Sequence, residues 1–98
     1  MYNVFVADSV WAKMEELEHY LIDELKLSEI AALQRTGRMR QFLKTISPML
    51  RYPLCRFKQW CDLGYRCAVF EKSWVFAYEE FEDGIIVRDM SNTALLMN

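Results

Sequence analysis

Histidine is almost missing from this sequence: His19 is the one copy in 98 residues. A Ser–His–Asp set needs an imidazole placed to take the serine proton, and His19 falls on the water-facing side of a helical pattern. Glycine is also scarce, with three copies, and no Gly-rich stretch can wrap backbone amides round a phosphate. The three cysteines, Cys55, Cys61 and Cys67, stand at equal spacings of six without a CxxC pair. An odd count with that spacing argues against a disulfide framework and against a zinc site. Buried free thiols in a reducing cytoplasm are expected instead. No run approaches the ~18 apolar residues of a membrane-spanning helix, and Met1 to Asp8 has neither the basic region nor the long apolar core of a signal peptide. The expectation is a cytoplasmic protein that needs no membrane, metal or cofactor.

The chain is long enough for one domain, residues 1–98, and too short for two. With 53% hydrophobic and 27% charged residues, its composition is that of a folded globule. Net charge is −2, but the distribution is uneven. Residues 1–34 carry a balance of −5, residues 35–72 a balance of +7 and residues 73–98 a balance of −4. A basic middle between acidic flanks either attracts a polyanion or an acidic peptide, or pairs with its own flanks.

Tyr2 to Val6 is aromatic and β-branched, and predicts a short strand bounded by Ala7-Asp8-Ser9. Asp8 or Ser9 is expected to cap the helix that follows. Val10, Met14, Leu17, Leu21 and Leu25 then recur at helical spacing and form one apolar stripe. Ser28-Glu29 opens a second helix, expected to run to about Leu50. Ile30 and Leu33 mark one face of it; Met39, Phe42, Leu43, Ile46 and Leu50 mark nearly the opposite one. That switch near Thr36-Gly37 predicts a bend, a break or a second contact surface. Pro48 lacks an amide proton, so the last turn should kink or restart with Ser47 as cap.

Tyr52-Pro53 leads out of the helical part, and residues 54–63 fit either a loop or a short strand. From Gly64 the signal is β. Tyr65 to Glu71 and Trp74 to Phe81 are two strands joined at Lys72-Ser73. Glu82-Asp83-Gly84 is the next turn, with glycine free to take positive φ, and Ile85 to Met90 is the last strand. The result is an α+β domain, β-α-α-β-β-β, with an antiparallel sheet packed against a helical hairpin. The expected shared core is Val10, Met14, Leu17, Leu21, Phe42, Ile46, Val69, Phe76 and Ile86.

This order of elements resembles the RelE/ParE superfamily of bacterial type II toxin–antitoxin toxins, of the plasmid-stabilisation type. The likeness runs over nearly the whole chain. It is carried by the opening strand ending at Ala7-Asp8, the helical hairpin, the Tyr52-Pro53 exit, Gly64-Tyr65-Arg66, and the aromatic strand turning through Glu82-Asp83-Gly84. The resemblance implies a toxin neutralised by a cognate antitoxin protein. Some members cut messenger RNA on the ribosome, and others block DNA gyrase.

RNA cleavage needs a base for the 2′-hydroxyl and cations for the phosphate charge in the transition state. Two registers of the family pattern fit. In one, Arg66 is the catalytic cation, and Arg56 and Lys58 help from one face of an extended segment. In the other, Trp74 to Tyr78 is the catalytic strand and Val75 stands where the family has arginine. The second is preferred, because the Glu82-Asp83-Gly84 turn then falls in place. Ser91 to Asn98 lacks the basic or tyrosine-containing cluster of the nucleases. The expectation is therefore a toxin that binds its target, with Arg40, Lys44, Arg51, Arg56 and Lys58 as nucleic-acid or partner contacts. The alternatives are a ribosome-dependent endoribonuclease using Arg66, and a non-toxic interaction module.

Overall fold

The computed structural model describes residues 3–46 and 52–95. Tyr2, the helix extension through Ser47, Pro48 and Leu50, the candidate contact Arg51, and the tail from Leu96 lie outside the described residues. The strand β1 (Asn3–Val6) leads into helices α1 (Asp8–Asp23) and α2 (Glu29–Lys44). A four-residue helix α3 (Lys58–Cys61) follows, then β2 (Arg66–Phe70), β3 (Trp74–Phe81) and β4 (Gly84–Asn92). This is the α+β order expected from the sequence, with α3 inserted in the ambiguous stretch. No described helix is long and apolar enough to cross a membrane.

The sheet order is β1-β4-β3-β2. β2, β3 and β4 form the antiparallel meander, and β1 adds to the free edge of β4 in parallel. Gly84 decides how closely those two strands approach. A Cβ placed there would lie 2.2 Å from the Asn3 carbonyl oxygen, so glycine is required by the neighbouring backbone. The expected positive φ at Gly84 is absent; Gly64 is the glycine that adopts it, at +74°. At the other turn Glu71 and Lys72 both have positive φ, and the Ser73 amide donates to the Phe70 carbonyl. The β2–β3 connection therefore spans residues 71–73, one more than expected.

The α1 helix starts without a side-chain cap, on Ala7, and Asp8 sits inside the first turn. Its carboxylate is favoured there by the helix dipole. Val10, Met14 and Leu21 are buried, as the stripe predicts, whereas Leu17 is half-buried and Leu25 lies beyond the helix end, 50% exposed. α2 is capped by the Ser28 hydroxyl, which accepts from the Ala31 amide at 3.1 Å, and it runs through Gly37 unbroken. The expected change of face does not occur. The buried stripe is Ala32, Thr36, Met39 and Leu43, while Ile30 and Leu33 are exposed. Thr36 is tolerated inside because its hydroxyl donates back toward the Ala32 and Leu33 carbonyls at 3.4 and 3.3 Å.

Both long helices cover one face of the sheet. Val10, Met14, Met39, Leu43 and Ile46 meet Ala68, Phe76, Tyr78, Ile85, Val87 and Met90 in the main core. A β-bulge lets Val87 and Met90 share that face: opposite Ala77 and Tyr78 the partners step from Asp89 to Val87, leaving Arg88 unmatched. The opposite face is covered in part by the segment carrying α3, where Trp60 and Cys55 pack on Cys67, Val75 and Ala77. Two expected core residues are therefore misplaced. Val69 is half exposed on the outer face of β2, and Ile86, only partly buried, pairs with exposed Phe5 on the same outward row. Leu17 and Phe42 pack at the periphery of the core.

Candidate functional site

The side chains expected to act together do not share one point. Arg66 opens β2, and strand alternation places it with Ala68 and Phe70 on the helix-covered face. Its Nη1 donates to the Tyr52 carbonyl at 2.7 Å, and its Nε lies 3.8 Å from a Glu80 carboxylate oxygen. The guanidinium is already coordinated by the chain's own groups. Lys58 belongs to α3 on the other face of the sheet, and Arg56 is exposed in the stretch leading to it. The extended segment that was to hold both is not formed, because Phe57 turns the chain into the helix. Val75, the other candidate for the catalytic position, is fully buried beneath the α3 segment.

The basic middle is partly neutralised by its flanks. Arg40 pairs with Glu18 of α1 at 2.8 Å, and Arg66 with Glu80 of β3. Arg38 pairs with Glu71 at 3.4 Å within the segment itself. Among the described residues, Arg35, Lys44, Arg56, Lys58 and Lys72 make no ion pair, and all are exposed. These are the cations available to a partner. Salt bridges on the surface contribute little to stability, so the flanks mute the field without locking the fold.

Two adjoining clefts open along α1. One, of about 380 Å³, lies between α1, α2 and the β2–β3 turn, with Arg35 and Arg38 on its rim and Leu21, Met39 and Phe70 below. The second, about 590 Å³, continues past Lys13 and Met90. Leu17, Tyr20, Trp74 and Asn92 line both. Sequence periodicity had assigned Leu17 to the core. Tyr20, one turn from it, is half-exposed, so this flank of the helix is not closed over.

A polar tie joins the layers beside that cleft. Lys13 of α1 donates to the Asp89 carboxylate and to the Met90 carbonyl, and the Trp60 indole donates to the other Asp89 oxygen at 3.1 Å. Burial alone would raise the Asp89 pKa. The Lys13 hydrogen bond, the Met90 amide and the Trp60 indole outweigh it and hold the carboxyl below its ordinary range. One carboxylate thereby fixes α1, the bulged strand and α3 together.

Cys55 and Cys67 are joined by a disulfide, with Cα atoms 5.0 Å apart, and Cys61 is free and exposed. This corrects the expectation of three buried free thiols. Equal spacing concealed the pairing, because it depends on the chain folding back at Leu54 to bridge Arg66. The Cys55 amide donates to the Tyr65 carbonyl at 2.8 Å and the Cys67 amide to the Pro53 carbonyl at 3.0 Å. The inference of a reducing compartment from reduced thiols loses its premise. No protein-family model matches the chain, and no curated protein matches it.

Proposed function

We propose that this chain is the toxin, or a toxin-like member, of a bacterial type II toxin–antitoxin module of the RelE/ParE kind. It acts by binding a cellular target and is held in check by a cognate antitoxin. The element order β-α-α-β-β-β is the one on which the family resemblance rests. The observation that favours binding over RNA cleavage is the state of Arg66. Its guanidinium is engaged by the Tyr52 carbonyl and faces Glu80, so little of its charge is left for a phosphate in a transition state. Arg56 and Lys58, its supposed helpers, belong to a segment that covers the other face of the sheet. What remains is a set of exposed cations, Lys44, Arg56 and Lys58 among them, suited to an acidic surface.

The test is expression of the chain in a bacterial host, alone and together with the reading frame that adjoins its gene. Growth should stop on induction and resume with the neighbour co-expressed. Unimpaired growth at a measured high level of folded chain would contradict the reading. Affinity for the purified neighbour should fall steeply between low and physiological salt, because exposed charges are screened over about 10 Å.

A further inference from the structure

We propose that the Cys55–Cys67 disulfide is a redox latch that holds the cationic α3 segment against the sheet, and that a dithiol reductant releases it. The segment between the two cysteines contains Arg56, Lys58, Trp60 and the exposed Leu63. Among the described residues its other attachments are the single Leu54–Arg66 bridge with its two amide bonds, the Arg66 bond to the Tyr52 carbonyl, the packing of Phe57, Trp60 and Tyr65 on the outer face of the sheet, and the Trp60 indole bond to Asp89. β2, to which the latch ties it, is itself an edge strand. Breaking the crosslink therefore removes the one covalent constraint on the loop. Because the loop carries two cations without ion pairs among the described residues, the redox state would set how those cations are presented. That consequence rests on the partner-binding reading given above; the latch itself does not.

A thiolate of the reductant attacks one cysteine sulfur, forming a mixed disulfide as the Cys55–Cys67 bond breaks. The second thiolate of the reductant then displaces the remaining cysteine. Two electrons pass to the protein, each cysteine sulfur takes up a proton, and the reductant leaves as its own disulfide. Cys55 is 4% exposed and Cys67 6%, so attack must follow opening of the loop. The latch is slow to reduce while shut, and once reduced it no longer opposes opening.

The experiment is limited trypsin digestion of the full chain with and without dithiothreitol. Cleavage after Arg56 and Lys58 is measured relative to cleavage after Lys26, which is exposed in the α1–α2 connection. Reduction should raise that ratio by roughly tenfold or more, since closing a loop of this length suppresses its opening strongly. Iodoacetamide should label one thiol before reduction, Cys61, and three afterwards. The Cys55→Ser, Cys67→Ser double variant should give the high ratio without reductant. If that variant does not fold, the reduced wild-type protein, checked by circular dichroism, supplies the same comparison. An unchanged ratio, an equal rise at Lys26, or three labelled thiols before reduction would each overturn the proposal. None of these readouts involves a toxin, target or antitoxin, so their failure is separable from failure of the functional reading.

Discussion

Replacing Gly84 with alanine should be among the most damaging one-carbon changes available in this chain. The added Cβ would stand 2.2 Å from the Asn3 carbonyl oxygen, 2.9 Å from its carbon and 3.0 Å from its nitrogen. All three are backbone atoms, so no side-chain rotation relieves the contact. Ordinary contact begins at 3.4 Å, which requires β1 to move away from β4 by about 1 Å, a displacement that a close-packed interior resists. The Asn3 amide bond to the Asp83 carbonyl, at 2.9 Å, is the first to fail. Val4 and Val6, which pack against the main core, are pulled with it. Overpacking costs about 1–3 kcal/mol, and a lost backbone hydrogen bond adds about 0.5–1.5 kcal/mol. Loss of unfolded-state freedom returns at most about 1 kcal/mol. The net expectation is destabilisation of about 1–4 kcal/mol, a large part of the stability of a domain this size. Urea unfolding followed by tryptophan fluorescence measures it directly. At a slope of about 1–2 kcal/mol/M the midpoint should fall by roughly 0.5–4 M with the slope unchanged. A midpoint within roughly 0.3 M of wild type would refute the argument that β1 approaches β4 as closely as described.

Gly37→Ala should act in the opposite direction, because nothing lies within 4 Å of a Cβ there and the site is inside α2; a gain of about 0.5–1 kcal/mol in the same assay is expected. Leu43→Ala should cost about 2–5 kcal/mol, since Leu43 is 2% exposed in the main core. Ile30→Ala, at a residue 71% exposed, should change stability by less than about 0.5 kcal/mol. Asp89 has a folded pKa below its ordinary 3.8, so the unfolded chain binds more protons and this group stabilises the fold at higher pH. Its contribution is complete above 3.8 and is lost as pH falls through the folded value. Thermal melts should therefore separate wild type from Asp89→Asn near neutrality and bring them together in strong acid.

How far the sequence foretold this structure differs between its two layers. The helical stripe of α1 was legible because its buried positions are large and apolar at every turn. α2 was misread at its start because its buried face is made of Ala32 and Thr36, small residues that carry little hydropathy signal, while Ile30 and Leu33 point to water. The meander was legible from aromatic and β-branched runs, but the bulge opposite Ala77 and Tyr78 was not. An extra residue shifts the period of two without altering composition, and so moved Met90 to the core and left Ile86 on the outer row. The disulfide and the Lys13–Asp89–Trp60 tie join residues far apart in the chain, which no local pattern reports. Of the candidate cations, Lys44, Arg56 and Lys58 are exposed. Their grouping failed because Arg66 and the α3 segment take opposite faces of a sheet whose edge the sequence did not locate.

If the proposed function holds, this chain acts by binding a target and leaves messenger RNA uncut. Primer extension on translated transcripts, after induction in growing cells, tests it most directly. Growth should arrest with transcripts intact, and the same intact pattern is expected for Arg66→Ala. Strong cleavage sites within translated frames that vanish in the Arg66→Ala variant would contradict it and make Arg66 a catalytic residue.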